Sequence, residues 1–249
     1  MKLILSPTKT MDMAEHPGSS KLESSRPQFE READLLIQEL AAFDPASLKK
    51  LFKTSDALTQ KVHEMVQGFA GALSGPAMFV FRGEAFKTLG PGDFTREQIL
   101  FARENLKIFS GLYGVVSPLD DIKPYRLDFS TPLKINGKSL KAFWKDRIIP
   151  CFESLLEPGE SLINLASDEY ASVLSSKELK EKIITLQFRE QADGKLKNIT
   201  VRAKQARGSF ARHIIRRALT DPKDLKQAVV DGYAYSQNLS SDREWFFIR

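Results

Sequence analysis

Apolar positions along the chain change their spacing several times, and the changes outline a mixed α/β protein with a central mixed sheet. Leu3-Ile4-Leu5 is a continuous apolar run stopped by Ser6-Pro7, the mark of a short buried strand. Over residues 30–43 the spacing turns helical, with Leu35, Leu36, Leu40 and Phe43 on one face. Asp44-Pro45 starts a further helix, an N-cap followed by proline in the first turn. That helix ends near Phe52, Thr54-Ser55-Asp56 makes a turn, and a second helix covers residues 57–69. Residues 77–81 read as a strand, and Thr95 caps a helix that ends near Asn105. Residues 107–109 lead into Gly111-Leu112-Tyr113-Gly114. Asn136-Gly137 suits the type I′ turn of a hairpin over residues 133–140. Residues 141–155 are helical, with a kink expected near Pro150. Residues 161–165 form a buried strand that runs into a helix at Ser167 or Asp168. A second hairpin is expected over residues 181–190 and 195–203 about Asp193-Gly194, then a helix over 204–219 and a last strand over 244–248. Proline, glycine and serine make residues 11–28 a loop. With no internal repeat and no low-complexity linker, residues 1–249 are expected to form a single compact domain.

Composition narrows the setting. A hydrophobic content of 42% and a charged content of 28% are ordinary for a soluble chain. No apolar run approaches the roughly 20 residues that a bilayer requires, so no membrane partner is expected. The N-terminal apolar stretch is too short for a signal peptide, which points to the cytoplasm. The single cysteine, Cys151, reads as a small buried hydrophobe, with Arg147 four residues before it as the one basic neighbour. His16, His63 and His213 share no metal-ligand spacing, which excludes zinc through Cys and His. Carboxylate-based iron binding stays open, but no Glu-x-x-His pair supports it, so neither a metal nor a cofactor is expected. A net charge of +5 and a pI near 9.2 permit polyanion binding without requiring it.

Several polar segments lie where strands end. Ser6-Pro7-Thr8-Lys9-Thr10 follows the first strand, and ligands of α/β proteins gather beyond strand ends. There Lys9 offers a point charge for phosphate or carboxylate, with Ser6, Thr8 and Thr10 as hydrogen-bonding neighbours; the bland alternative is a surface turn. In Pro124-Tyr125-Arg126-Leu127-Asp128, Arg126 either grips an anion or pairs with Asp128 or Asp120 to organise a loop. Asn164-Leu165-Ala166-Ser167-Asp168-Glu169-Tyr170 is a strand running into a helix, whose unpaired N–H groups suit an anion. On the 204–219 helix, Phe210, Ala211, Ile214, Ile215, Ala218 and Leu219 share an apolar sector, opposite Arg212, His213, Arg216 and Arg217. Lys204 and Arg207 point with the apolar sector, so each must meet a carboxylate, a carbonyl or a ligand. Asp168 and Glu169 are the internal partners that would satisfy them.

These motifs, in this order, make the chain resemble the YaaA family of peroxide stress proteins, from Leu3-Ile4-Leu5-Ser6-Pro7 to Trp245-Phe246-Phe247-Ile248-Arg249. The resemblance implies a mixed α/β fold with a helix-hairpin-helix element, a part in surviving hydrogen peroxide and limiting free iron, and binding to double-stranded DNA without sequence specificity. It places the helix-hairpin-helix over residues 44–69, with Lys49, Lys50, Lys53, Thr54, Ser55 and Lys61 as DNA contacts, although the turn carries no Gly-x-Gly. It matches Ser6-Pro7-Thr8-Lys9-Thr10 to the family's Ser-Pro-x-Lys-Thr and Glu169-Tyr170 to its Glu-Tyr, which singles out Glu169 as an acid/base candidate. Phe86 stands where relatives often carry tyrosine, so a hydroxyl is lost there. Two functions are therefore expected. One is a DNA-binding stress protein. The other is an enzyme acting on a small anionic or nucleotide-like ligand in a cleft of Ser6, Lys9, Thr10, Tyr125, Arg126, Asn164, Ser167, Glu169, Lys204 and Arg207, with Lys9, Glu169 and Lys204 as reacting groups.

Overall fold

The computed structural model describes residues 1–14, 23–192 and 194–249. Residues 15–22 of the expected 11–28 loop, His16 among them, and Asp193 of the second expected hairpin lie outside the described residues. The chain opens with β1 (Lys2–Leu5) and continues through α1 (Glu30–Ala41), α2 (Pro45–Phe52) and α3 (Asp56–Gln67). Next come β2 (Gly75–Pro76), α4 (Ala77–Val80), α5 (Glu84–Leu89), α6 (Arg96–Asn105), β3 (Leu106–Ser110), β4 (Gly114–Val116) and β5 (Asp121–Ile122). The ribbon of β6 (Lys134–Ile135) and β7 (Lys138–Ser139) leads to α7 (Leu140–Leu155), β8 (Leu162–Leu165), α8 (Asp168–Ala171) and α9 (Lys177–Lys182). The chain closes with β9 (Ile183–Ala192), β10 (Lys195–Lys197), α10 (Thr200–Arg217), β11 (Val229–Val230), β12 (Tyr233–Ser236) and β13 (Glu244–Ile248).

The fold is mixed α/β around a mixed sheet, ordered β11-β12-β13-β9-β8-β1-β3-β4 with β10 added on β9. Its centre, β13-β9-β8-β1-β3, is parallel, and antiparallel strands close both ends. Leu3 of β1 registers with Leu106 on one side and Ile163 on the other. A central parallel strand is covered on both faces, which is why Leu3, Ile4 and Leu5 are all apolar and all fully buried. The same hydrophobic core takes in Leu36 of α1, Val62 of α3, Trp144 of α7 and Phe210 of α10.

Local signals are realised where side chains satisfy backbone groups. Asp44 accepts from the Ser47 N–H, and Thr95 forms a capping box with Gln98. Asn136 and Gly137 both take positive φ, as a type I′ turn requires. The helix α7 continues through Pro150.

Three expectations are corrected. Residues 77–80 form a helical turn, not a strand; all four are buried, and the Ala77 and Met78 N–H groups donate to the Asp120 and Pro118 carbonyls. A short, wholly apolar run has no periodicity to separate the two states, and this tertiary pairing decides it. The hairpin strand expected over 195–203 stops at Lys197, and α10 begins at Thr200, four residues before the expected start. Ala218, placed in the apolar sector, instead caps α10 in the left-handed conformation and is exposed.

Candidate functional site

The carboxyl ends of the paired strands β1 and β8 open into a cleft of about 750 Å³. Tight packing builds its walls. A Cβ on Gly208 would lie 1.9 Å from the Ala85 carbonyl oxygen, so glycine lets α10 press directly on α5. Thr88 strengthens that contact by donating to the Gln205 carbonyl at 2.7 Å. Gly83 packs against Thr8 in the same way, bringing the start of α5 to the Ser6–Thr10 segment.

Seven of the expected residues meet here: Ser6, Lys9, Thr10, Ser167, Glu169, Lys204 and Arg207. Ser6 ties the two strand ends together; its Oγ accepts from the Ser167 N–H at 2.8 Å and its hydroxyl donates to Ser167 Oγ at 3.2 Å. Lys9 Nζ stands 2.7 Å from Asp128 Oδ2, and the Tyr170 hydroxyl donates to Asp128 Oδ1 at 2.8 Å. Burial, then the Asp128 charge, pushes the Tyr170 phenol well above its usual range, which keeps it protonated. Glu169 accepts from the Ser130 N–H at 3.3 Å.

Three expected residues are not among those lining the cleft. Tyr125 is buried and accepts from the Ser110 hydroxyl at 2.8 Å. Arg126 borders a small separate cavity beside Leu40 and Met65, and Asp128 pairs with Lys9 instead of with it. Asn164 is buried within the sheet, where it donates to Thr185 and accepts from the Ala166 N–H. The helix after Ser167 also differs from expectation. It is a single turn, Ser167 makes no side-chain cap, and its N–H is used by Ser6. A macrodipole needs several aligned turns, so α8 supplies little field for an anion.

The cleft also contains Thr8, expected beside Lys9, and residues that sequence reasoning did not place there: Asp12, Arg82, Glu84, Phe86, Lys87, Asp128 and Tyr170. The Arg82-Gly83-Glu84 tripeptide, polar residues around a glycine, was the available signal. Ion pairs link Arg82 with Asp12 and Lys87 with Glu84. Lysine donation, then donation from Gln205, holds the Glu84 carboxyl below its usual range.

Arg207 is different in kind. Its Nε is sealed from solvent without a hydrogen-bond partner among the described residues. Burial lowers its pKa, and Asp168 opposes that shift from beyond ion-pair distance. Lys204, one turn away and exposed, forms no ion pair among the described residues. The outward face of α10 is not simply solvated: Arg212 and Arg216 both pair with Asp93, and Arg212 also donates to the Leu89 and Gly90 carbonyls.

Residues 1–239 match the family described as peroxide stress protein YaaA. The chain belongs to this family. UPF0246 proteins are similar along their full length: 41% identity in Desulforapulum autotrophicum, covering 100% of this chain and 99% of the relative, and 35% in Clostridium perfringens, covering all of both. A Crocosphaera subtropica relative is 34% identical, again over the whole of both chains.

The family's helix-hairpin-helix expectation meets an αα-hairpin, α2 and α3, whose polar groups are spent locally. Lys53 takes the left-handed conformation at the turn, and Ser55 caps α3. The Ser55 side chain and carbonyl engage the Leu58 and Thr59 N–H groups. Thr54 bonds Thr59 through their hydroxyls, and Lys49 pairs with Asp56 at 2.6 Å. Of the expected DNA contacts, Lys50, Lys53 and Lys61 remain as exposed cations.

The Gly111–Gly114 and Asp120 motifs are also structural. Gly111 packs against the Leu127 carbonyl and accepts from the Trp144 indole at 2.8 Å. Asp120 is buried and accepts from Ser25 and the Ser117 N–H. Cys151 is half-buried beside Gln28, and burial pushes its thiol pKa up; Arg147 pairs with Glu32 instead. Phe86 packs on Phe81. Among the described residues, no three His, Cys, Asp or Glu side chains gather as a metal-binding group, and no helix is long and apolar enough to cross a membrane.

Proposed function

We propose that this YaaA-family member acts in peroxide stress by binding a small anionic ligand in the cleft at the ends of β1 and β8. The observation that carries this reading is the unpartnered, desolvated Arg207 Nε beside the unpaired Lys204. A buried donor without an acceptor costs about 1–3 kcal/mol, a cost that no contact within the described residues repays, and the guanidinium it belongs to lines the cleft. Guanidinium chemistry favours phosphate or carboxylate. In this reading Glu169 accepts a proton, or a hydrogen bond from a hydroxyl, of the ligand, Lys204 meets its negative charge, and Lys9, held by Asp128, donates a hydrogen bond to it. Titration calorimetry with inorganic phosphate and nucleotides tests it: wild type binds, and Arg207→Met loses binding. Equal binding by both proteins would sink the cleft reading.

A second reading is sequence-independent contact with duplex DNA through α2–α3, favoured by the exposed cations Lys50, Lys53 and Lys61. Its test is fluorescence anisotropy of a labelled duplex over a salt series. Steep salt dependence, lost in the Lys50→Glu/Lys53→Glu variant, supports it, and salt-independent or unaffected binding excludes it. A cytoplasmic setting and limitation of free iron extend the family's peroxide stress role as parts of the same proposal. Chelatable iron in peroxide-treated cells with and without the protein tests the iron role.

A further inference from the structure

The charges of the cleft are not spread evenly. Five cations and four carboxylates line it. Three carboxylates already hold a cation: Asp128 with Lys9, Asp12 with Arg82 and Glu84 with Lys87. These pairs belong to the β1 end and the α5 rim, where Glu84 also feels Lys204 across the α5–α10 contact, and the fourth carboxylate, Glu169, accepts from the Ser130 N–H. The two cations outside them, Lys204 and Arg207, both stand on α10. The cations that hold no carboxylate therefore stand on α10, and the end around Lys9, Asp128 and Tyr170 is charge-balanced yet rich in hydrogen-bonding groups.

The balanced end has a definite chemistry. Asp128 bridges the Lys9 ammonium and the Tyr170 hydroxyl. Lys9 keeps further N–H donors, and the Tyr170 oxygen keeps lone pairs to accept with. An incoming anion here would have to compete with Asp128 for Lys9 and would face that carboxylate directly. An uncharged hydroxyl or amide meets neither obstacle. Leu5, Leu165 and Phe86 add apolar surface to the cleft.

Resting on the cleft reading above, we infer that the ligand is a phosphate monoester of an uncharged, hydroxyl-bearing body, as in a sugar phosphate or nucleoside monophosphate. Its phosphate lies at Arg207 and Lys204, and its body hydrogen-bonds Lys9, Asp128 and Tyr170. A compact polyanion would leave the balanced end unused.

Calorimetry with four probes tests this: adenosine 5′-monophosphate, ribose 5-phosphate, inorganic phosphate and pyrophosphate. At least one ester is expected to bind about tenfold or more tightly than inorganic phosphate, as one good polar contact to the body would give. If both esters bind alike, the sugar is recognised; tighter nucleotide binding adds the base. Asp128→Asn and Tyr170→Phe are expected to weaken the ester about tenfold and leave inorganic phosphate unchanged, with thermal unfolding confirming that both variants fold. Arg207→Met is expected to lose every probe. Wild type binding all four probes alike, or variants weakening all probes equally, would overturn the assigned orientation while the anion cleft stood. No binding of any probe to wild type would remove both.

Discussion

The α2–α3 hairpin and the cleft are both rich in polar residues, yet they use them oppositely. In the hairpin each turn group has a near neighbour: Ser55 caps α3, Thr54 meets Thr59, and Lys49 meets Asp56. Those residues make the turn, and removing them weakens the fold. In the cleft, α10 carries Arg207 with a buried Nε that nothing in the described structure satisfies. A polar residue with a local partner explains itself through folding, whereas a desolvated one without a partner points to something outside the chain.

The largest test of this contrast is Gly208→Ala. Its methyl group would clash with the Ala85 carbonyl, prising α10 from α5. A loss of about 3 kcal/mol in urea unfolding is expected, together with loss of ligand binding. Next comes Arg207→Met, where the expected sign reverses: stability of the free protein rises by roughly 1 kcal/mol because an unsatisfied buried donor is removed, while binding disappears. A clear loss of stability there would show that Arg207 serves the fold. In the hairpin, Ser55→Ala is expected to cost about 0.5–1 kcal/mol in the same assay and to leave binding in the cleft untouched.

The smallest effect concerns the other arginines of α10. Donation from Arg212, aided by Arg216, depresses the Asp93 pKa below its usual value. A carboxyl depressed in the folded state stabilises above its unfolded pKa, and the contribution is lost as pH falls through the folded pKa. Asp93→Asn should therefore lower the melting temperature slightly at pH 7, with the gap closing as the pH drops below the folded-state value. A gap unchanged across that acid range would mean that the ionised Asp93 does not help hold α10.

Much of the fold was legible because its signals are local. The apolar run of β1, the helical spacing of α1, the Asp44 and Thr95 caps and the Asn136-Gly137 turn each act within a few residues. The 77–80 segment was not legible, since its N–H groups are claimed by carbonyls of the 118–120 loop. Part of the cleft could be read from strand-end motifs, and the helical projection set Lys204 and Arg207 apart from the outer arginines. Tyr125 and Arg126 share a motif with Asp128, but the backbone sends Arg126 toward a different cavity.

The chain's own pattern was sufficient for the mixed α/β class and for the family, because strand runs, caps and ordered motifs are written in consecutive residues. Which charges cancel was settled by packing. Asp128 turned to distant Lys9 and not to nearby Arg126, and the Arg207 Nε was left without a partner among the described residues, because Gly208 and Gly83 let α10, α5 and the β1 loop close to contact. Electrostatic pairing depends on distances of a few ångströms, and in this protein those distances exist only after the helices and sheet have packed.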